Sequence, residues 1–154
     1  MTPPRAKAGK YKVVIEKGKE TYETEVELLY TPNSVFTLEE RDLQFKTTME
    51  LYKMTEDLAY LVYEIDEILK HTEANKDNKA LVKQATVLAA KLNDLKKTLV
   101  ITSGDNYVGA AEPQLREKMG DIYSKVANYY GKPSESEFQN IKLITNRFNK
   151  AKTD

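Results

Sequence analysis

The chain has no cysteine and no tryptophan among its 154 residues. Without cysteine there are no disulfides, no thiolate metal ligands and no thiol nucleophile. Compartment does not follow from this, since many exported proteins also lack cysteine. The six glycines are scattered, and no Gly-x-Gly-x-x-Gly, phosphate loop, Gly-x-Ser-x-Gly elbow or zinc-binding helix motif occurs. No apolar run approaches the ~20 residues that span a bilayer. The start, Met1-Thr-Pro-Pro-Arg-Ala-Lys7, lacks the apolar stretch of a signal peptide. Neither sign of charge is in excess: 24 Lys and Arg face 24 Asp and Glu, a formal net charge of zero. A neutral chain with no run of five like charges has no long-range pull toward nucleic acid or an anionic membrane.

What is present suits a soluble, helix-rich globular protein, with 40% hydrophobic and 31% charged residues. A polar, proline-rich start leading straight into a strand is expected of a chain cut from a longer protein. Tyr11 to Ile15 and Tyr22 to Tyr30 alternate apolar and polar residues with period two, which predicts strands with one face to bury. Glu16 to Glu20 lies between them, and Gly18 can supply the positive φ that a hairpin loop requires. A lone hairpin is marginal in water, so this one needs a partner: the helices, a second copy of the chain, or further strands. Its exposed apolar face predicts self-association when that partner is missing.

Thr31-Pro32-Asn33-Ser34 ends the second strand. Thr37 and Glu40 then form a capping box, opening a helix expected to run to about Glu73. Its seam is Leu51, Met54, Leu58, Leu61, Ile65 and Ile68, widened by Phe45, Met49, Tyr52, Ala59, Val62 and Leu69. Such a stripe suits a helix that contacts two neighbours, and its length would be roughly 50 Å. A short turn over 74–78 forces the second helix, with Leu81, Ala85, Leu88, Leu92, Leu95 and Leu99, to run antiparallel to the first. After a loop over 101–112, Pro113 is expected to open a third helix carrying Leu115, Met119, Ile122, Val126 and Tyr129. Gly131-Lys-Pro133 stops it, and a second capping box, Ser134 with Glu137, starts a fourth helix with Ile141, Ile144, Phe148 and Ala151. The predicted fold is mainly α: an antiparallel four-helix bundle, up-down-up-down, preceded by a two-stranded β-hairpin. The expected division is 1–32 for the hairpin and 33–154 for the bundle.

Chemistry is sparse. A di-metal bundle site needs paired Glu-x-x-His motifs, but His71 is the only histidine and Glu67 precedes it by four residues. The acids Glu56, Asp57, Glu64, Asp66 and Glu67 fall mostly off the seam. His71 sits near a helix C-terminus, where it favours the dipole more often than it catalyses. Ser103-Gly-Asp-Asn106 lacks the regular acidic ligands and closing glutamate of a calcium loop. No catalytic, cofactor-binding or metal-binding residue is expected. Of ten tyrosines, Tyr11, Tyr22 and Tyr30 align with strand faces, and Tyr52, Tyr123 and Tyr129 lie on or beside seams, as core residues with hydroxyls at the rim would. Tyr60, Tyr63, Tyr107 and Tyr130 are less constrained and are the candidates for surface contact with a ligand or partner.

Two resemblances add to this. The hairpin, from Gly9-Lys-Tyr11-Lys-Val13 through Tyr22 to Leu28, resembles the last two strands of an immunoglobulin-like sandwich. The wider pattern combines that hairpin, a long helix from Leu43-Gln44-Phe45, a Leu-rich second helix, a Tyr107 to Glu112-Pro113-Gln-Leu115 approach to the third, and the Gly131-Lys-Pro133-Ser134 turn. It resembles the C-terminal region of bacterial exported proteins with BNR-repeat or sortilin-like β-propellers, often described as glycosyl-hydrolase-like. The resemblance implies a truncated sandwich joined to a bundle and a periplasmic or extracellular setting, with other domains of the parent protein as partners. It implies a non-catalytic accessory or interaction domain, since catalysis would belong to the propeller, whose repeats and Asp-box pattern are absent here. The alternative from the residues themselves is a carbohydrate- or peptide-binding module using the surface tyrosines and the 101–112 loop.

Overall fold

The computed structural model describes residues 2–102 and 111–153. Two antiparallel strands, β1 (Gly9–Lys17) and β2 (Glu20–Leu28), precede four helices: α1 (Leu38–Ala74), α2 (Val82–Leu99), α3 (Leu115–Asn128) and α4 (Glu135–Ala151). The molecule is mainly α, a hairpin followed by an antiparallel helical bundle.

The strands pair from Gly9 opposite Leu28 to Lys17 opposite Glu20, a longer and tighter hairpin than the alternation alone predicts. The loop contracts to Gly18 and Lys19. Gly18 has φ 64° and no non-glycine residue among the described ones has positive φ, the φ signs of a type II′ turn, whose twist matches that of paired strands. β2 begins two residues before Tyr22 and ends at Leu28, so Leu29 and Tyr30 lie beyond it. Register places Tyr11, Val13, Ile15, Tyr22, Val26 and Leu28 on one face. Lys10 and Lys12 oppose Glu27 and Glu25 on the other, and Lys12 also pairs diagonally with Glu23 at 2.7 Å.

Both expected capping boxes form. Thr37 accepts from the Glu40 N–H and Glu40 returns to the Thr37 N–H at 3.0 Å, while Ser134 and Glu137 do the same for α4. At 37 residues α1 is about 55 Å long. The turn into α2 is organised by Asn78. Its Oδ1 accepts from the Ala80 N–H at 3.0 Å, and its carbonyl accepts from Val82 at 2.8 Å. Pro113 does not open α3. Gln114 is extended at the N-cap position and its N–H donates to Glu117 Oε2 at 3.2 Å, which moves the start to Leu115.

The core gathers one residue per two turns of α1, Leu51, Leu58 and Ile65, with Leu115, Met119, Ile122 and Val126 of α3, and Ile144, Phe148 and Ala151 of α4. Leu99 and Val100 enter from the end of α2. Five seam residues need correction. Leu81 and Leu88 are exposed, because α2 packs mainly on α1 and its covered positions are Ala85, Ala89, Leu92, Leu95, Lys96 and Leu99. Ile68 and Met49 are likewise uncovered, since at each level fewer helices surround α1 than its stripe could serve. Tyr129 is not a seam residue but the extended C-cap of α3, half-exposed, with its ring edge-on to Phe36 at 5.4 Å.

Candidate interaction surface

The hairpin's apolar face is bare. Neither strand packs along a helix, and Tyr11, Ile15, Tyr22, Val26 and Leu28 are 37–59% exposed on that side. Six large apolar side chains on one face of nine-residue strands form the kind of contiguous patch that a soluble chain ordinarily covers. Tyr22 and Tyr11 turn their hydroxyls to local acceptors, Glu20 Oε2 at 2.7 Å and the Lys7 carbonyl at 2.6 Å, leaving their rings as the apolar surface. The bond to Glu20 pushes the Tyr22 phenol above its usual range.

The hairpin is held to the bundle at its base. Lys7 Nζ pairs with Asp42 of α1 at 2.8 Å, a bond that raises the lysine's pKa. The Arg41 guanidinium stacks over the Tyr30 ring at 4.4 Å and donates to Ser34 Oγ. Tyr123, buried in α3, donates from its hydroxyl to the Thr2 carbonyl at 2.5 Å, tying down the segment ahead of β1. Periodicity places Tyr30 and Tyr123 on their elements, but the pairing of Lys7 with Asp42, Arg41 with Tyr30 and Tyr123 with Thr2 joins separate parts of the chain, and the sequence offers no sign of it.

The candidate tyrosines separate into three groups. Tyr60 and Tyr63, three residues apart on α1, are neighbours on one helix face and more than half exposed at 62% and 61%. Tyr130 is engaged at the hairpin base, where Arg5 stacks on its ring and bonds its hydroxyl. Tyr107 and the Ser103 to Asn106 stretch lie outside the described residues. The structure does not bring Tyr130 to Tyr60 and Tyr63, since the former follows α3 and sits at the hairpin end of α1.

Several lysines form surface ion pairs on α1 and α2. Lys53 meets Glu56 and Asp57 at 2.7 and 3.1 Å, and these two carboxylates raise the lysine's pKa. Lys70 and Lys76 pair with Glu67 and Glu73, while Lys96 of α2 reaches Asp66 of α1. His71 lies exposed in the last turn of α1, its carbonyl accepting from the Asn75 amide at 2.9 Å. Among the described residues no group of three His, Cys, Asp or Glu side chains is placed to hold a metal ion. Among the described residues no helix is long and apolar enough to cross a membrane.

No protein-family model matches this chain, and neither does any curated protein or solved structure.

Proposed function

We propose that this chain is a non-catalytic accessory or interaction domain, with the apolar hairpin face as its docking surface. One observation carries the reading: a well-paired hairpin holds six apolar side chains on one face, and the chain's own helices leave that face bare. An isolated hairpin is marginal in water, so a covering partner supplies the burial that the bundle does not. The sequence resemblance to the C-terminal region of exported β-propeller proteins names that partner as another domain of the same parent, with the role one of packing or assembly outside the cytoplasm.

Amide hydrogen exchange tests this in the isolated chain and in the longer parent protein. The β1 and β2 amides are expected to exchange readily in the isolated chain and to be protected in the parent, with Ile15→Lys abolishing the difference. Without its partner, the isolated chain is expected to associate through the same face, which light scattering against concentration detects. Equal exchange in both proteins, together with a monomer at every concentration, overturns the proposal.

A second reading rests on Tyr60 and Tyr63, whose neighbouring exposed rings could stack a sugar or a peptide side chain. Tyrosine fluorescence titrated with polysaccharides and peptides tests it. A response that survives Tyr60→Ser with Tyr63→Ser excludes these two rings.

A further inference from the structure

A second feature lies at the base of the hairpin and does not depend on what covers its face. A cavity of about 350 Å³ opens between the segment preceding β1, the residues just after β2, the first turns of α1 and the end of α3. Its wall carries Arg5, Lys7 and Arg41 and no carboxylate. Lys7 is neutralised from outside the cavity by Asp42 at 2.8 Å. Neither arginine meets a carboxylate among the described residues. Both guanidiniums nevertheless converge on one ring, lying 4.9 Å (Arg5) and 5.6 Å (Arg41) from the Tyr130 centroid. The Arg41 Nε is buried and has no hydrogen-bond partner there. In a chain of zero net charge, this is a local excess of two cations in a concave, partly desolvated setting, where Coulomb attraction for an anion exceeds its value in bulk water.

We propose that this cavity binds a small oxyanion, a phosphate monoester or carboxylate carried on an apolar body. The head group meets the forked donors of Arg5 and Arg41, which suit carboxylate and phosphate oxygens alike. The body rests against Leu29, Phe45 and Ala127, the apolar part of the wall. Stacking on Tyr30 and Tyr130 keeps the guanidiniums in place, so little side-chain freedom is lost on binding. The cavity is too small for a folded partner and fits a ligand of about ten to twenty heavy atoms.

The test is a titration of the whole chain with phenyl phosphate, benzoate and phenol, followed by amide NMR shifts. At least one of the two anions is expected to shift the amides of Tyr30, Arg41 and Tyr130, while neutral phenol leaves them in place. Arg5→Gln and Arg41→Gln are each expected to weaken binding tenfold or more, and Lys53→Gln to leave it unchanged. The tighter anion identifies the head group. Arg5 precedes the hairpin and is exposed, so its variant remains informative should Arg41→Gln loosen the fold. Silence with both anions, equal shifts with phenol, or full binding by Arg5→Gln overturns the proposal.

Discussion

The side-chain amide of Gln44 donates to the main-chain oxygen of Val126 at 2.7 Å, joining α1 to the last turn of α3 across 82 positions of sequence. The last carbonyls of a helix have no acceptor role within it, and here a side chain from a neighbouring helix fills one. Thr48 shares the same amide at 3.1 Å, so the Gln44 side chain is fixed from two directions.

Replacing Gln44 with alanine should therefore destabilise the bundle by about 1 to 2 kcal/mol while leaving helix content intact. Urea denaturation followed by far-UV circular dichroism measures this. An unchanged midpoint would mean that water replaces the amide at no cost.

Leu51 is fully buried at 0% exposure, in the part of α1 that faces α3. Leu51→Ala is expected to cost about 2 to 5 kcal/mol through lost burial and the cavity left behind. Leu143, 63% exposed on α4, is a matched control. Its alanine variant should stay within about 0.5 kcal/mol of the parent. Denaturation midpoints of the two variants, compared side by side, check the assignment of core and surface.

A Cβ on Gly131 would stand 2.7 Å from Phe36 Cε1 and 2.9 Å from Tyr129 Cε1, closer than carbon atoms pack. Gly131→Ala should lower stability by about 1 to 3 kcal/mol through overpacking. In a Phe36→Ala background the penalty should shrink, because the ring that obstructs the methyl group is gone. A double-mutant cycle on thermal midpoints reads the coupling, and strict additivity would exclude this contact as the cause.

The Tyr123 phenol is pushed above its ordinary value of 10.0, mainly because burial disfavours its ionised form. Its folded value therefore exceeds its unfolded one. The stability tied to the neutral hydroxyl is fully present below pH 10 and is lost as pH rises through the folded value. The bond to the Thr2 carbonyl disappears with that proton. Tyr123→Phe should be less stable than the parent at pH 8, and the gap should narrow above pH 10. Thermal melts of both proteins from pH 8 to pH 11 test this, and a constant gap would contradict it.

Most of the secondary structure was legible because its causes are local. The two capping boxes need only residues three apart, Thr37 with Glu40 and Ser134 with Glu137, and both are present. The start of α3 was misplaced because glutamine is a weak N-cap, so Pro113 drew the prediction instead of Gln114. The candidate site was far less legible. Tyr60 and Tyr63 were recognised by their freedom from any seam and are indeed exposed. Tyr130 carried the same signal, yet it is engaged by Arg5, 125 positions away. Nothing in the spacing of arginines and tyrosines foretells which rings they will stack on.

By itself, then, the sequence determined the hairpin, the four helices and their antiparallel order. Alternation, heptad-like spacing and short connections act through neighbouring residues and the reach of the chain. Only the tertiary structure decided which apolar stripes find partners. Leu81 and Leu88 obey the same periodicity as Leu92 and Leu99, and the strand faces alternate as a buried sheet would. Burial is a property of what lies opposite a side chain, and no pattern within one element specifies that. The four helices leave the hairpin face bare and gather Arg5, Arg41, Tyr30 and Tyr130 at its base. Both features arise where distant parts of the chain meet, so periodicity could not reveal them.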